Sequence, residues 1–203
     1  MVTMESDSEL EAGDTPPDFE LEGVDGDTYS LESFADAEAL LLVFTCNHCP
    51  YAQAKFDLLN ELATEYDDVA VVGINPNDAE AYPEDSFEMM QEFVSEGKVD
   101  YDAYLRDDSQ DVARAYGAVC TPDPFLFERR TSQRDPEGRA TESGDADGEF
   151  RLVYQGRLDD ALNPDDEPTR YHIREAIEAV LAGEDVGLEW QPSRGCSIKW
   201  KDT

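Results

Sequence analysis

The stretch FTCNHCPYA, residues 44–52, puts Cys46, Cys49 and one of the chain's two histidines on the bend where an apolar run stops and a helical pattern starts. Leu40 to Phe44, just ahead of the bend, is continuously apolar, as expected for a strand covered on both faces. Behind it, Phe56, Leu59, Leu62 and Ala63 recur at helical spacing over residues 50–66, and Pro50 suits the first turn, where its missing N–H costs little. A thiol at such a junction lies beside orphan backbone N–H groups and the positive end of the helix dipole. That placement lowers a cysteine pKa from about 8.5 to as little as about 3.5–7.5. Cys49, directly before Pro50, holds the position. Cys46, three residues earlier on the strand exit, completes a CxxC spacing in which one thiol can resolve a bond made by the other. Two plainer uses compete. Free cysteine is often core filler, and Cys46, His48, Cys49 and Cys120 include zinc-ligand types, although their spacing matches no common zinc module.

Outward from the bend the pattern alternates. VAVVGIN, residues 69–75, reads as a second buried strand, residues 87–94 as an amphipathic helix with Met89 and Met90 in its core face, and residues 101–105 as a further strand. Strand, helix, strand, helix implies parallel pairing through right-handed crossovers. SQDVARAYG then predicts a short helix ending near Gly117, PFLFE and FRLVYQG two more strands, and residues 171–181 a last helix with Ile173, Ile177, Val180 and Leu181 on one side. DFELEGVDGDTYSL suits a small hairpin ahead of the first buried strand. The connector at about 129–149 is too polar to pack and reads as an extended hairpin loop. Residues 1–14, charged and weakly apolar, read as a mobile acidic tail, leaving one domain over 15–203.

Forty-nine acidic residues face fifteen basic ones, for a formal charge of −34. Nucleic acid and anionic membrane surfaces are poor partners for such a chain, because both need a basic footprint. Acid spread through helices and loops alike resembles the proteins of salt-accumulating halophiles. In molar salt the Debye length falls to about 3 Å, which screens the self-repulsion. The first residues show no basic segment followed by an apolar core, and no stretch reaches a membrane span, so a cytoplasmic location is expected. In that compartment four cysteines point to catalysis or metal binding more than to structural disulfides.

VCTPDPFLFE, residues 119–128, places Thr121 and Pro122 immediately before a strand, with Cys120 one residue further back. With the CxxC bend, this resembles the thioredoxin superfamily. PPDFELEGVDGDTYSLESF, VGINPND, AYGAVCTPDPFLF, LVYQGRLDD and GCSIKW narrow the likeness to its peroxiredoxin-like branch, the alkyl hydroperoxide reductase and thiol-specific antioxidant (AhpC/TSA) group, in a haloarchaeal type. The resemblance implies an α/β thioredoxin fold: a central mixed β-sheet flanked by helices, with the hairpin as an N-terminal extension. It further implies a cis bond at Pro122 facing the active thiol.

The departures bear on function. Typical peroxiredoxins carry a proline, three residues, a threonine or serine, two residues and then the attacking cysteine. Here Thr45 is followed by Cys46 at plus one and Cys49 at plus four, and residue 41 is leucine. Cys49 stands where thioredoxins put their first cysteine, but Ala52 replaces the second. The expectation is a thiol-dependent oxidoreductase without a cofactor. Cys49 and Cys46 are its catalytic thiols, Cys120 and Cys196 further resolving candidates, and Thr45, Thr121 and Pro122 supporting residues. A thioredoxin-like or small-thiol donor would supply electrons. Rival readings are a peroxidase of non-standard geometry and a redox-inactive binding module. For Cys196, packing beside Trp200 is the alternative role. His48 reads as positioning or solvent-facing, and the carboxylates of NDAEAYPEDS as salt-adapted surface.

Overall fold

The apolar run Ala39–Phe44 forms a central strand, and the elements around it pack on its two faces. The computed structural model describes residues 3–130 and 148–201. In chain order its strands are β1 (Thr3–Glu5), β2 (Leu21–Gly23), β3 (Thr28–Tyr29), β4 (Ala39–Phe44), β5 (Val69–Asn75), β6 (Ala103–Arg106), β7 (Cys120–Thr121), β8 (Asp123–Arg129), β9 (Phe150–Gln155) and β10 (Arg194–Ser197). The helices are α1 (Pro50–Gln53), α2 (Phe56–Glu65), α3 (Phe87–Ser95), α4 (Asp111–Ala115) and α5 (His172–Leu181).

Every residue of β4 is fully buried, because side chains alternate between two covered faces. Leu40, Leu42 and Phe44 join Val72, Ile74, Tyr116, Phe125 and Phe127 on one side. Ala39, Leu41 and Val43 meet Leu58, Leu59 and Leu62 of α2 and Ile173 and Ile177 of α5 on the other. Burying each such side chain contributes about 1.5–3 kcal/mol before entropy is counted. Strand β4 pairs in parallel with β5 and antiparallel with β8, which sets Phe44 opposite both Ile74 and Asp123. The main sheet runs β3-β2-β6-β5-β4-β8-β9, with β5 and β6 also parallel. This is the expected thioredoxin fold, with the β2–β3 hairpin at one edge.

Three features differ from the sequence reading. The helix expected over residues 50–66 is broken. Lys55 N–H bonds to the Ala52 carbonyl, three residues back, and this tight turn separates α1, which contacts β10, from α2, which packs on β5. Second, the lead expected to stay mobile contains strand β1, paired antiparallel with β10 from Thr3↔Cys196 to Glu5↔Arg194. Its side chains are exposed, Met4 included, while its backbone groups find partners on a strand edge, and composition says nothing of backbone pairing. Ser8 Oγ also donates to the Tyr116 carbonyl at 2.6 Å. Third, β1, β10 and β7 form a second antiparallel sheet, built of strands too short to leave a periodic signal. The 129–149 connector falls for the most part outside the described residues; the strands at its two ends, β8 and β9, pair as a hairpin.

Candidate functional site

At the end of β4 the chain leaves the sheet through Thr45, Cys46, Asn47 and His48, and Pro50 opens α1. Cys49, just before it, has an extended backbone (φ −79°, ψ 122°), and its carbonyl accepts the Gln53 N–H at 2.9 Å. Gln53 Nε2 reaches back to the Asn47 carbonyl at 2.6 Å, so the bend is clamped from within. Cys49 and Cys196 form a disulfide across 147 residues of chain, with their Cα atoms 6.2 Å apart. Both are buried, together with Cys46, Phe56, Met90 and Tyr104.

The second sheet delivers Cys196. Pairing of β10 with β7 sets Cys196 opposite Thr121. Gly195 makes this approach possible, since a Cβ there would collide with the Thr121 carbonyl oxygen. The Thr121–Pro122 peptide is cis. Thr121 faces both cysteines of the bend: its carbonyl oxygen lies 3.4 Å from Cys49 Sγ, and its Oγ1 lies 3.2 Å from Cys46 Sγ. Beyond β10 the chain is tied down by Gln110, whose Nε2 donates to the Lys199 carbonyl at 2.8 Å and to the Pro76 carbonyl at 2.6 Å. Gln110 adopts φ +65°, the left-handed region that a non-glycine residue enters only when its surroundings hold it there.

The predicted site residues separate into two groups. Cys49, Cys196, Thr121 and Pro122 converge. Cys46 remains a free, buried thiol, its pKa pushed up to about 12 by burial and then by the charge of Asp85, with the Thr121 hydroxyl only partly offsetting them. Cys120 is also free and buried; burial, then nearby Asp123, pushes its thiol well up, and its sulfur contacts only Ser193 Oγ at 3.9 Å and the Pro122 carbonyl at 4.0 Å. Thr45 is buried with no hydrogen bond to its Oγ1 among the described residues. Trp200 is exposed, with the Arg114 guanidinium 4.7 Å from its ring, and is not among the hydrophobic residues clustered with Cys196.

Two acids escaped the sequence reading. Asp85, in the segment taken for salt-adapted surface, is fully buried. One of its oxygens accepts the Asn47 N–H at 2.7 Å, and the other meets Asn77 Nδ2 at 2.7 Å and His48 Nδ1 at 2.5 Å. Burial pushes its pKa up, but the bonds from His48 and Asn77 prevail and hold it below the usual carboxylate value. His48 is thus held by Asp85 and stacked on Tyr82, ring centroids 5.1 Å apart. Arg106 closes the network on the Asn77 carbonyl at 2.6 Å, and Tyr104 donates to Asn47 Oδ1 at 2.8 Å. In a chain with forty-nine acids, no pattern marks the one that turns inward. The only hint lay in the asparagines of FTCNHC and VGINPND, short polar side chains next to apolar runs. Asp123, directly after Pro122, is also fully buried, with one oxygen on Ser193 Oγ at 2.8 Å and the other unpartnered among the described residues; burial pushes its pKa up to about 7.

For a metal, the described residues whose ligand atoms converge are Cys46, His48 and Asp85, within 4.8 Å of one another. The set differs from the sequence candidate, because Cys49 is taken up by Cys196 and Cys120 sits against Ser193. Asp85 is already engaged by protein donors.

Residues 12–138, more than half of the chain, match the AhpC/TSA family. The chain belongs to that family. This AhpC/TSA protein is 38% identical to a hypothetical protein from Sinorhizobium meliloti 1021, over 98% of its own length and 99% of that chain, with a TM-score of 0.82. It is 36% identical to an uncharacterized conserved protein from Geobacillus kaustophilus, over 100% of its length and 98% of that chain, at a TM-score of 0.79. A Chlorobium tepidum protein provisionally named thiol:disulfide interchange protein DsbE shares the fold at 20% identity, with 88% and 99% coverage and a TM-score of 0.56. A comparison with curated proteins found no match. Family and fold together are those of thiol-dependent oxidoreductases. Among the described residues no helix is long and apolar enough to cross a membrane.

Proposed function

We propose that the protein is a thiol-disulfide oxidoreductase in which Cys49 attacks and Cys196 resolves. The observation that supports this most is the pairing of Cys49 with Cys196 beside the cis Thr121–Pro122 peptide, a Cα separation of 6.2 Å within the range disulfides occupy. In the reduced protein the Cys49 thiolate attacks one sulfur of a substrate disulfide. A Cys49–substrate mixed disulfide forms, and the first substrate thiolate leaves and takes a proton. The Cys196 thiolate then attacks Cys49 Sγ, the second substrate thiolate leaves and is protonated, and the Cys49–Cys196 bond closes. The dithiol has given two electrons and two protons, and the substrate disulfide has become two thiols.

Cys49 takes the attacking role because it stands at the strand-to-helix bend, free of sheet pairing, whereas Cys196 is held within β10 between β1 and β7. The high thiol pKa values of Cys46 and Cys120 suit neither to attack at neutral pH. A thioredoxin-like protein or a small thiol would re-reduce the pair. A cytoplasmic setting, where thiols are kept reduced, suits a dithiol that must be restored each cycle.

Stopped-flow mixing of the reduced protein with a small disulfide and, separately, with hydrogen peroxide tests this reading. Exchange at Cys49 is expected to be the faster reaction, and the Cys196→Ser variant should accumulate a mixed disulfide at Cys49. Rapid peroxide consumption dependent on Cys49, with slow disulfide exchange, would favour a peroxidase of unfamiliar site geometry instead.

A further inference from the structure

Beside Pro122 the surface sinks into a shallow groove lined by Lys55, Pro122, Arg157, Asp159, Ser193 and Arg194, among others. Its charge is anomalous. The chain carries −34, yet this groove gathers three cations against one carboxylate. Lys55 is matched, its Nζ lying 2.7 Å from Asp159. Among the described residues Arg157 bonds to neutral acceptors, the Pro192 carbonyl at 3.0 Å and Gln191 Oε1 at 3.1 Å. The half-buried Arg194 side chain makes no hydrogen bond or ion pair among the described residues. With acids so abundant, two guanidinium groups on one groove that have no carboxylate partner among the described residues make a concentrated positive site in a strongly negative protein.

The position of the groove relative to the sulfurs gives this charge a use. Pro122 lines it, and the preceding Thr121 carbonyl lies against Cys49 Sγ. Arg194 is two residues before Cys196 on β10, and residues i and i+2 of a strand share a face. Both arginines therefore line a groove that borders Pro122, the neighbour of the residue whose carbonyl touches Cys49 Sγ. Guanidinium matches carboxylate in shape as well as charge.

We infer that Arg157 and Arg194 form an anion subsite, and that the substrate class is a low-molecular-weight disulfide bearing carboxylates. This deepens the proposed thiol exchange and rests on it. One carboxylate docks in the groove, which positions the disulfide sulfur for Cys49; the electron and proton balance is that given above, with two carboxylate-bearing thiols as products.

Three small disulfides of like size and different charge provide the test: dithiodiglycolate (anionic), 2-hydroxyethyl disulfide (neutral) and cystamine (cationic). In about 1 M potassium chloride, where long-range repulsion from the whole protein is screened to about 3 Å, their rates with the reduced protein isolate the local site. Dithiodiglycolate should react about tenfold faster than the neutral disulfide, the advantage of one charge-assisted contact, with cystamine slowest. Arg194→Gln should bring the ratio of the dithiodiglycolate rate to the 2-hydroxyethyl disulfide rate down close to one, and Arg194→Lys should restore part of that ratio. In the oxidised protein, where Cys49 cannot react, dithiodiglycolate should shift NMR signals around Pro122 and Arg194, and Arg194→Gln should abolish the shift. Reaction with the neutral disulfide but no preference for the anion would overturn the subsite and leave thiol exchange standing. Failure of all three to react would overturn both.

Discussion

Cys49 Sγ lies 3.4 Å from the carbonyl oxygen of Thr121, the residue whose peptide bond to Pro122 is cis. The Thr121 hydroxyl, on the same residue, lies 3.2 Å from Cys46 Sγ. One residue therefore faces both thiols of the CxxC stretch and separates them by environment. Cys49 lies beside β10 and its sulfur is joined to Cys196; Cys46 is buried near the Asp85 carboxylate, where its thiolate is disfavoured. The spacing that suggests a local dithiol thus serves a pairing across the length of the chain.

Asp85 holds the bend from behind, so its removal should be felt throughout the site. Asp85→Ala would leave the Asn47 N–H, the Asn77 amide and the His48 ring without their acceptor. Each stranded buried donor costs about 1–3 kcal/mol, so a loss of about 3 kcal/mol or more is expected in urea denaturation. Asp85→Asn should cost less, because one carbonyl oxygen survives. Since the Asp85 pKa is lowered in the fold, its contribution is present above the ordinary carboxylate value and is lost as the pH falls through the folded one. A loss below about 1 kcal/mol for the alanine variant would show that the network is not a support.

Asp123 has the opposite sign. Burial raises its pKa from 3.8 to about 7, so between those values the folded protein holds a proton that the unfolded chain has released. Its share of stability is complete below pH 3.8, declines as the pH rises, and is gone above about 7. At about 1.4 kcal/mol per pH unit the decline amounts to about 4 kcal/mol at most. Asp123→Asn, which keeps the shape and cannot ionise, should flatten this part of the profile. Parallel stability curves for the two proteins from pH 4 to 8 would contradict the assignment.

How much of this was legible beforehand depends on the size of the pattern. Strand β4 spans six apolar residues and β5 seven residues that are apolar or glycine up to the final Asn75, runs long enough to announce themselves. Cys49 before Pro50, and Thr121–Pro122 before a strand, were legible for the same reason, as local motifs with local causes. Strands β1, β7 and β10 contain three, two and four residues, below the length at which alternation can be read. Their pairing depends on backbone groups that every sequence carries. The choice of Cys196 over Cys46 and Cys120 as the partner of Cys49 depends on that sheet, which is why the sequence left the three open. Asp85 and Asp123 were hidden by their abundance, because composition marks neither as buried.

Gly195 offers a direct check on the second sheet. A methyl group there meets the Thr121 carbonyl oxygen, backbone that cannot swing aside. Gly195→Ala should displace β10 from β7, lower the melting temperature, and slow closure of the Cys49–Cys196 bond more than it slows the first attack by Cys49. Unchanged closure kinetics would mean that this close approach does not position Cys196.

A charge of −34 opposes compaction unless it is screened, and the acids are spread over the whole chain. Adaptation to high salt predicts a melting temperature that keeps rising into molar potassium chloride, well past the range where ordinary surface pairs are screened. Equal melting temperatures at low and molar salt would remove that reading.

The central claim is that Cys49 and Cys196 are the redox pair. Reduced protein should be treated with one equivalent of 2-hydroxyethyl disulfide, quenched with an alkylating agent at low pH, digested without reduction and mapped by mass spectrometry. Mapping should find a cross-linked peptide pair joining Cys49 to Cys196, with Cys46 and Cys120 recovered as free, alkylated thiols. A Cys46–Cys49 disulfide, or any bridge that uses Cys120, would contradict it.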